Sequence, residues 1–143
     1  MLFNHTASEL TDLCGHALDL AKNMGATSAE ADFSESLGQS VSVRLGEIEQ
    51  IEFQQDKSLD ITVYVGKRKG RASTADFSEK ALQDTVKAAI DIARYTAEDD
   101  CAGLADASLM AQHVGDLDRY HEWDLSTESA IDLAKQCEQA ALS

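Results

Sequence analysis

The feature that most constrains the fold is a long stretch, from Glu30 to Leu45, in which polar and apolar residues alternate. Its odd-numbered positions are mostly apolar, and every even-numbered position is polar or glycine. Successive side chains of a β-strand point to opposite faces, so this pattern predicts one unusually long strand with a single buried face. A second strict alternation, from Leu59 to Val65, predicts another such strand. We therefore expect an antiparallel sheet that is covered on one face.

Turn signals divide this region into four predicted strands. Gly46 lies in a tight turn, the polar run 55–58 predicts a second turn, and the basic run 66–70, with glycine at both ends, predicts a third. Gly38 leaves two possibilities open for the first strand: one bent strand, or two strands joined by a hairpin at 37–39. The unchanged phase of the alternation on both sides of Gly38 favours the single strand. The predicted strands cover residues 30–45, 47–55, 59–65 and 71–75.

Apolar residues at helical spacing predict one helix before the sheet and another after it. The first is expected to cover about residues 7–24, because Thr6 and Glu9 have the spacing of a capping box. Asp76 and Ser78 compete for the N-cap of the second helix. The predicted fold class is α+β: an antiparallel four-stranded meander with a long first strand, covered by an N-terminal helix and by a second helix after the sheet.

The element pattern divides the chain into three predicted parts. Residues 1–98 form an N-terminal α+β domain, residues 99–125 form a linker, and residues 126–143 form a last helix that is a candidate start of a next domain. A connection as long as 99–125 is often functional or passes between modules. The last helical pattern continues without a stop signal, so we expect the chain to be part of a longer protein.

The chain is strongly acidic, with 26 acidic against 12 basic residues and a net charge of −14. Such a chain repels phosphate backbones and anionic lipids, so nucleic acid and membranes are disfavoured as partners. The sequence has no run of 18 apolar residues, and its first residues lack the pattern of a signal peptide. Three widely spaced cysteines suit a reducing compartment. These features predict a cytoplasmic protein.

The sequence offers few candidates for catalysis or metal binding. Its four histidines are not paired at the four-residue helical spacing that a zinc-binding helix needs. A zinc site built from Cys101, His113 and His121 is possible by residue count, but a buried thiol and two loop imidazoles are the simpler interpretation. No serine lies in a strand–turn–helix elbow, and the glycines are scattered. We therefore predict no catalytic residue, no metal ligand and no cofactor in this segment.

One cluster of positive charge contrasts with the acidic chain. A third of the 12 basic residues lie within five positions: Lys67, Arg68, Lys69 and Arg71. One interpretation is a solvated hairpin tip whose charges prevent sheet edges from pairing with other chains. The other interpretation is a surface that docks onto an acidic partner. These four residues are the candidates for partner contact.

Five segments resemble, in the same order, the N-terminal part of proteins of the TldD/PmbA family. The last three of them are most similar to the PmbA branch, also called TldE. The resemblance covers nearly all of this chain, but only about the first third of a family member. The segments are VSVRLGEIEQIEF (41–53), DITVYV (60–65), KGRASTADFS (69–78), AAIDIARYT (88–96) and DCAGLAD (100–106).

The resemblance implies a role in a cytosolic bacterial metalloprotease system, in which a TldD-like and a PmbA-like subunit form a heterodimer. The family acts on unfolded peptides, in peptide-antibiotic maturation and antitoxin degradation, and it is also named a modulator of DNA gyrase. In the TldD branch, zinc is held by a His-Glu-x-x-x-His motif and a cysteine, beyond position 143. The PmbA branch lacks that motif, which implies a non-catalytic subunit. The acidic charge argues against interpreting the gyrase name as DNA binding.

The sequence leaves three functions open. The first is an assembly and substrate-chamber role for a PmbA-like subunit, whose sheet edge grips an unfolded peptide through backbone hydrogen bonds. Its partners would be a TldD-like subunit or a second copy of the chain. The second is a stand-alone, non-enzymatic protein-interaction module. The third, a self-contained hydrolase, has no residues in the sequence to support it.

Overall fold

The computed structural model describes residues 5–143, in which helices precede and follow one antiparallel sheet along the chain. The strands lie in the order β1-β2-β3. The chain divides into two compact units, one made of residues up to Ser36 with Asp56–Met110, the other of Leu37–Gln55 with Ala111–Ser143. The elements are α1 (Ala7–Asn23), β1 (Ser28–Arg44), β2 (Glu47–Val65), β3 (Arg68–Thr74), α2 (Glu79–Tyr95), a 3₁₀ turn (Ala107–Leu109) and α3 (Thr127–Leu142).

The four-stranded meander is wrong, because the sheet of the described residues has three strands. The predicted turn at 55–58 does not form, and the chain passes through it as the single strand β2. The alternation of apolar and polar residues explains why. Phe53 and Leu59 both occupy odd positions, so the alternation keeps its phase across the polar run between them. That run contains no glycine or proline to turn the chain. Its polarity reflects exposure to solvent rather than a change of direction.

The other elements agree with the sequence more closely. Gly38 lies inside β1, so the single-strand alternative is the correct one. The Thr6–Glu9 capping box is present: the Glu9 backbone N–H donates to Thr6 Oγ1 at 3.3 Å, and the Thr6 N–H donates to Glu9 Oε2 at 2.8 Å. Ser78 is the N-cap of α2. Asp76 instead accepts the Ser78 N–H at 2.9 Å and shapes the approach to the helix.

The core of the first unit lies between the sheet and helices α1 and α2. The odd positions of β2 point into this core, which leaves Asp60, Thr62 and Tyr64 on the other face of the sheet. Burial of each large aliphatic side chain here contributes about 1.5–3 kcal/mol. The buried residues are Ala17 and Ala21 of α1, Leu59, Ile61 and Val63 of β2, and Leu82, Val86, Ala89, Ile90 and Ala93 of α2.

Gly70 allows α2 to pack directly against β3. A Cβ atom at this position would overlap the carbonyl oxygen of Ala89 and lie 2.5 Å from the backbone nitrogen of Ala93. Both alanines are fully buried. The helix backbone therefore lies on the strand backbone, with small residues on both sides of the contact.

The second unit combines the end of the β1–β2 hairpin with α3, and none of its residues is buried. Its turn has φ +53° at Leu45 and φ +80° at Gly46, as in a type I′ hairpin. The Glu138 carboxylate of α3 accepts both turn N–H groups, at 2.6 Å from Leu45 and 2.7 Å from Gly46. These two hydrogen bonds tie α3 to the hairpin tip. Across residues 5–143, no helix combines the length and the apolar character that a membrane span requires.

Candidate functional site: the free sheet edge and its polar face

β1 forms an edge of the sheet that is open along its length. In the described part of the chain no strand pairs with its outer side. β1 has 17 residues, whereas the other edge strand, β3, has seven. Proteins commonly protect such edges with short strands, lysine or proline, and β1 contains neither lysine nor proline. Its outward N–H and C=O groups therefore have no strand partner among the described residues.

A polar groove of about 360 Å³ lies beside this edge, on the sheet face opposite the helices. Burial on this face is greatest at Thr62 and Tyr64, which are 7% and 5% exposed. The Tyr64 hydroxyl donates to Glu30 Oε1 at 3.4 Å. Burial, and then the charge of Glu30, raise the pKa of Tyr64, so this tyrosine stays protonated. The groove is lined by Glu30, Ala31, Asp32, Asp60, Thr62 and Arg71.

An ion pair between Arg71 and Asp60 crosses the groove. Arg71 donates to Asp60 Oδ1 from Nη2 at 2.8 Å and from Nε at 3.2 Å. The hydrogen bonds from Arg71 hold the pKa of Asp60 below its usual value, against a smaller opposing effect of burial. Asp60 is thus held in its ionised form by the two hydrogen bonds from Arg71.

The Arg71–Asp60 ion pair predicts how the stability of the folded protein depends on acidic pH. Because the pKa of Asp60 is lowered in the folded protein, its stabilising contribution is complete at neutral pH and is lost as the pH falls through the lowered pKa. We expect Arg71→Gln to raise the Asp60 pKa towards 3.8, its ordinary value, and to remove this part of the acid dependence. NMR titration of the Asp60 carboxyl and unfolding curves at several acidic pH values measure both effects.

The control for this prediction is Arg94→Gln, which removes a surface pair with Asp91 at 3.6 Å on α2. That variant should leave the Asp60 titration unchanged. Superimposable Asp60 titration curves for Arg71→Gln and the parent protein would contradict the assignment.

Two of the four candidates for partner contact, Lys67 and Arg68, form hydrogen bonds with the end of α2 and the segment after it. Lys67 Nζ donates to the carbonyl oxygen of Asp100 at 3.0 Å. Arg68 donates to the carbonyl oxygen of Arg94 at 2.9 Å and pairs with Glu98 at 3.4 Å. These bonds connect the end of α2 and the residues after it to the β2–β3 turn and the start of β3. They give both side chains a structural role within the first unit.

The remaining two candidates lie on the polar face. Lys69 Nζ is 5.9 Å from the centroid of the Tyr64 ring, and Arg71 pairs with Asp60 as described. All four side chains thus have an intramolecular neighbour. Contact with an acidic partner stays a prediction for these residues.

The histidines and cysteines do not fit a zinc site. Within the part of the chain that the structure describes, no group of three His, Cys, Asp or Glu residues could hold a metal ion. His16 Nε2 lies 2.7 Å from Glu79 Oε2, as a two-residue surface pair. Burial, and then the charge of Asp32, raise the pKa of the Cys14 thiol, which keeps it protonated.

The structure also shows two carboxylates with long-range contacts that the sequence analysis missed. Glu35 occupies an inward position of β1, its side chain is 4% exposed, and its Oε2 lies 3.4 Å from His5 Nδ1. Its other oxygen, Oε1, is buried without a hydrogen-bond partner. The alternation of β1 already placed Glu35 among inward residues, which was the available signal. No local signal identified Glu138, because its partners at the hairpin tip are more than 90 residues away.

Comparison with known proteins identifies the family. Residues 29–93 match the family model described as PmbA/TldA metallopeptidase domain 1. The chain is 50% identical to the metalloprotease PmbA homolog of Haemophilus influenzae, over 94% of this chain and 30% of that protein. It is 48% identical to metalloprotease PmbA of Escherichia coli O157:H7, over 93% of this chain and 29% of that protein. The chain thus spans under a third of the length of these relatives.

Solved structures agree with this assignment. The crystal structure of a candidate modulator of DNA gyrase from Bacteroides thetaiotaomicron matches with a TM-score of 0.69 and 27% identity, over 80% of this chain and 25% of that chain. TldE from Thermococcus kodakarensis matches with a TM-score of 0.61 over 92% of this chain and 29% of that chain, and at 15% identity it supports the fold alone. The family predicted from the sequence is confirmed: the chain belongs to the metalloprotease-like TldD/PmbA family, on its PmbA branch, and residues 29–93 match the family's first domain.

Proposed function

We propose that the chain is the N-terminal domain of a PmbA-like (TldE-like) subunit in a cytoplasmic TldD/PmbA zinc metalloprotease system. The system acts on unfolded peptides, in peptide maturation and antitoxin degradation. This domain serves assembly and the substrate chamber and performs no catalysis, while zinc and peptide cleavage belong to a TldD-like partner in a heterodimer. The family assignment and the metalloprotease names of the relatives support this proposal.

The open outer edge of β1 is the observation that carries the substrate part of the proposal. An unfolded peptide that pairs with a strand edge is held by backbone hydrogen bonds, which do not depend on its sequence. Such recognition suits a system that handles different unfolded chains.

A non-enzymatic protein-interaction module is the second candidate. The hairpin of the second unit exposes apolar side chains, with Leu45 79% and Phe53 71% exposed. Exposed apolar groups of this size often mark a protein contact. This surface is compatible with an assembly role in either candidate.

Proline substitutions at two neighbouring residues of β1, Gln39→Pro and Ser40→Pro, test the edge. N–H groups of successive strand residues point to opposite sides, so one of these two faces β2 and the other faces the free edge. In the native-length protein we expect one variant to be destabilised. The other should keep its stability and bind an unfolded peptide about fivefold more weakly, because one edge hydrogen bond is lost. Fluorescence anisotropy of a labelled unfolded peptide measures the affinity.

Alanine substitutions at the same two positions are the matched controls, since they keep both N–H groups. They should bind the peptide as the parent protein does. If the stable proline variant binds the peptide with unchanged affinity, β1 is not the edge that holds it.

A further inference from the structure

Residues 113–124, which precede α3 and which we call the acidic strap, expose an unusual set of side chains. The strap contains no helix or strand. Val114, Leu117, Tyr120 and Trp123 recur at every third position and are 77%, 65%, 61% and 75% exposed. A surface leucine by itself is ordinary, but four large apolar or aromatic side chains within ten residues form an exposed group of the kind that marks a protein contact.

The strap has a defined local course. Asp118 has φ +47°, and its N–H donates to the Asp116 carboxylate at 2.9 Å. The Leu125 N–H donates to the Trp123 carbonyl oxygen at 2.9 Å. The turn at Asp118 separates the strap into two apolar pairs, one before it and one after it.

The charges of the strap indicate the chemistry of a surface that would bind it. Asp116, Asp118, Glu122 and Asp124 lie between or beside the apolar residues, and Arg119 is the one lysine or arginine in the strap. A complementary surface is an apolar cleft with lysine and arginine on its rim. A second copy of this chain is a poor fit, because each copy brings a net charge of −14. Charge complementarity thus favours a different, basic partner.

We propose that the acidic strap docks into an apolar cleft with a basic rim on the TldD-like partner subunit. The aromatic pair Tyr120 and Trp123 anchors it, since large aromatic side chains commonly dominate such contacts. This inference rests on the proposed function and extends it by naming the surface and the chemistry of its receptor.

Fluorine NMR on Trp123 tests the docking directly. The native-length protein is labelled with 5-fluorotryptophan, and Trp123→Phe assigns the signal. In the free subunit a soluble paramagnetic chelate should broaden the Trp123 signal, and after addition of the unlabelled TldD-like subunit the broadening should fall several-fold. Trp123→Ala should weaken the complex about 30-fold, as expected for an interface hot spot. Asp116→Asn with Glu122→Gln should reduce the salt dependence of binding.

Tyr95→Ala is the matched control, because Tyr95 is an aromatic residue that is 91% exposed at the end of α2. It should leave the affinity for the TldD-like subunit unchanged. A complex in which Trp123 remains accessible overturns the docking while the proposed function stands. Protection of Trp123 in the free native-length subunit also overturns it, since the strap is then covered by its own chain. Absence of any complex overturns both proposals.

Discussion

Gly70→Ala is expected to lower the free energy of unfolding by about 3 kcal/mol or more. The added Cβ would meet backbone atoms of Ala89 and Ala93 rather than flexible side-chain ends. The contact can be relieved only if α2 moves away from β3, which opens the core along the helix. Chemical denaturation followed by circular dichroism measures the loss.

Gly38→Ala is the control, because Gly38 also lies inside a strand but has no atom within 4 Å of the position of a Cβ. Alanine there should be neutral or slightly stabilising, since glycine in a strand carries an entropic cost of about 0.5–1 kcal/mol. Equal stabilities of Gly70→Ala and Gly38→Ala would show that the close packing of α2 on β3 is wrong.

The second large effect concerns the continuity of β2. Asp56→Pro and Lys57→Pro place proline at neighbouring positions in the middle of this strand, and one of the two N–H groups points towards β1. The variant that removes that N–H should lose about 2–3 kcal/mol of unfolding free energy, because a sheet hydrogen bond is lost and its acceptor is left unpaired. Thermal and chemical unfolding of both variants measure the difference.

A proline in an irregular segment provides the control. Ala111 is exposed, and Met110 before it has φ −77° and ψ 143°, the extended backbone that a residue before proline requires. Ala111→Pro should therefore be close to neutral. If both Asp56→Pro and Lys57→Pro are as stable as the parent protein, residues 55–58 form a turn and β2 is not continuous.

The helices could be predicted closely from the sequence, because their signals are local. Thr6, Glu9 and Ser78 cap their helices through hydrogen bonds within three residues, and the apolar spacing of α2 matches its buried face. The number of strands could not be predicted in the same way. A polar run of four residues is typical both of a turn and of an exposed length of strand, and the pairing of β2 with β1 decides between them.

The candidate site was only partly accessible to sequence reasoning. The alternation of β1 predicted a long strand, but its position at the edge of the sheet depends on the strand order, which is a property of the whole fold. The basic residues Lys67 and Arg68 were visible as a cluster, whereas their bonds to Asp100 and Arg94 join positions about 30 residues apart. Such long-range contacts produce no recognisable pattern of residue spacing in the sequence.

The assembly of the native-length protein with a TldD-like subunit from the same organism tests the central claim most directly. The two proteins are purified separately and mixed, and cleavage of an unfolded peptide is followed with and without a zinc chelator, alongside gel filtration. The account predicts one complex, with chelator-sensitive cleavage that requires the TldD-like subunit. Chelator-sensitive cleavage by the present protein alone, purified free of any TldD-like subunit, would contradict it.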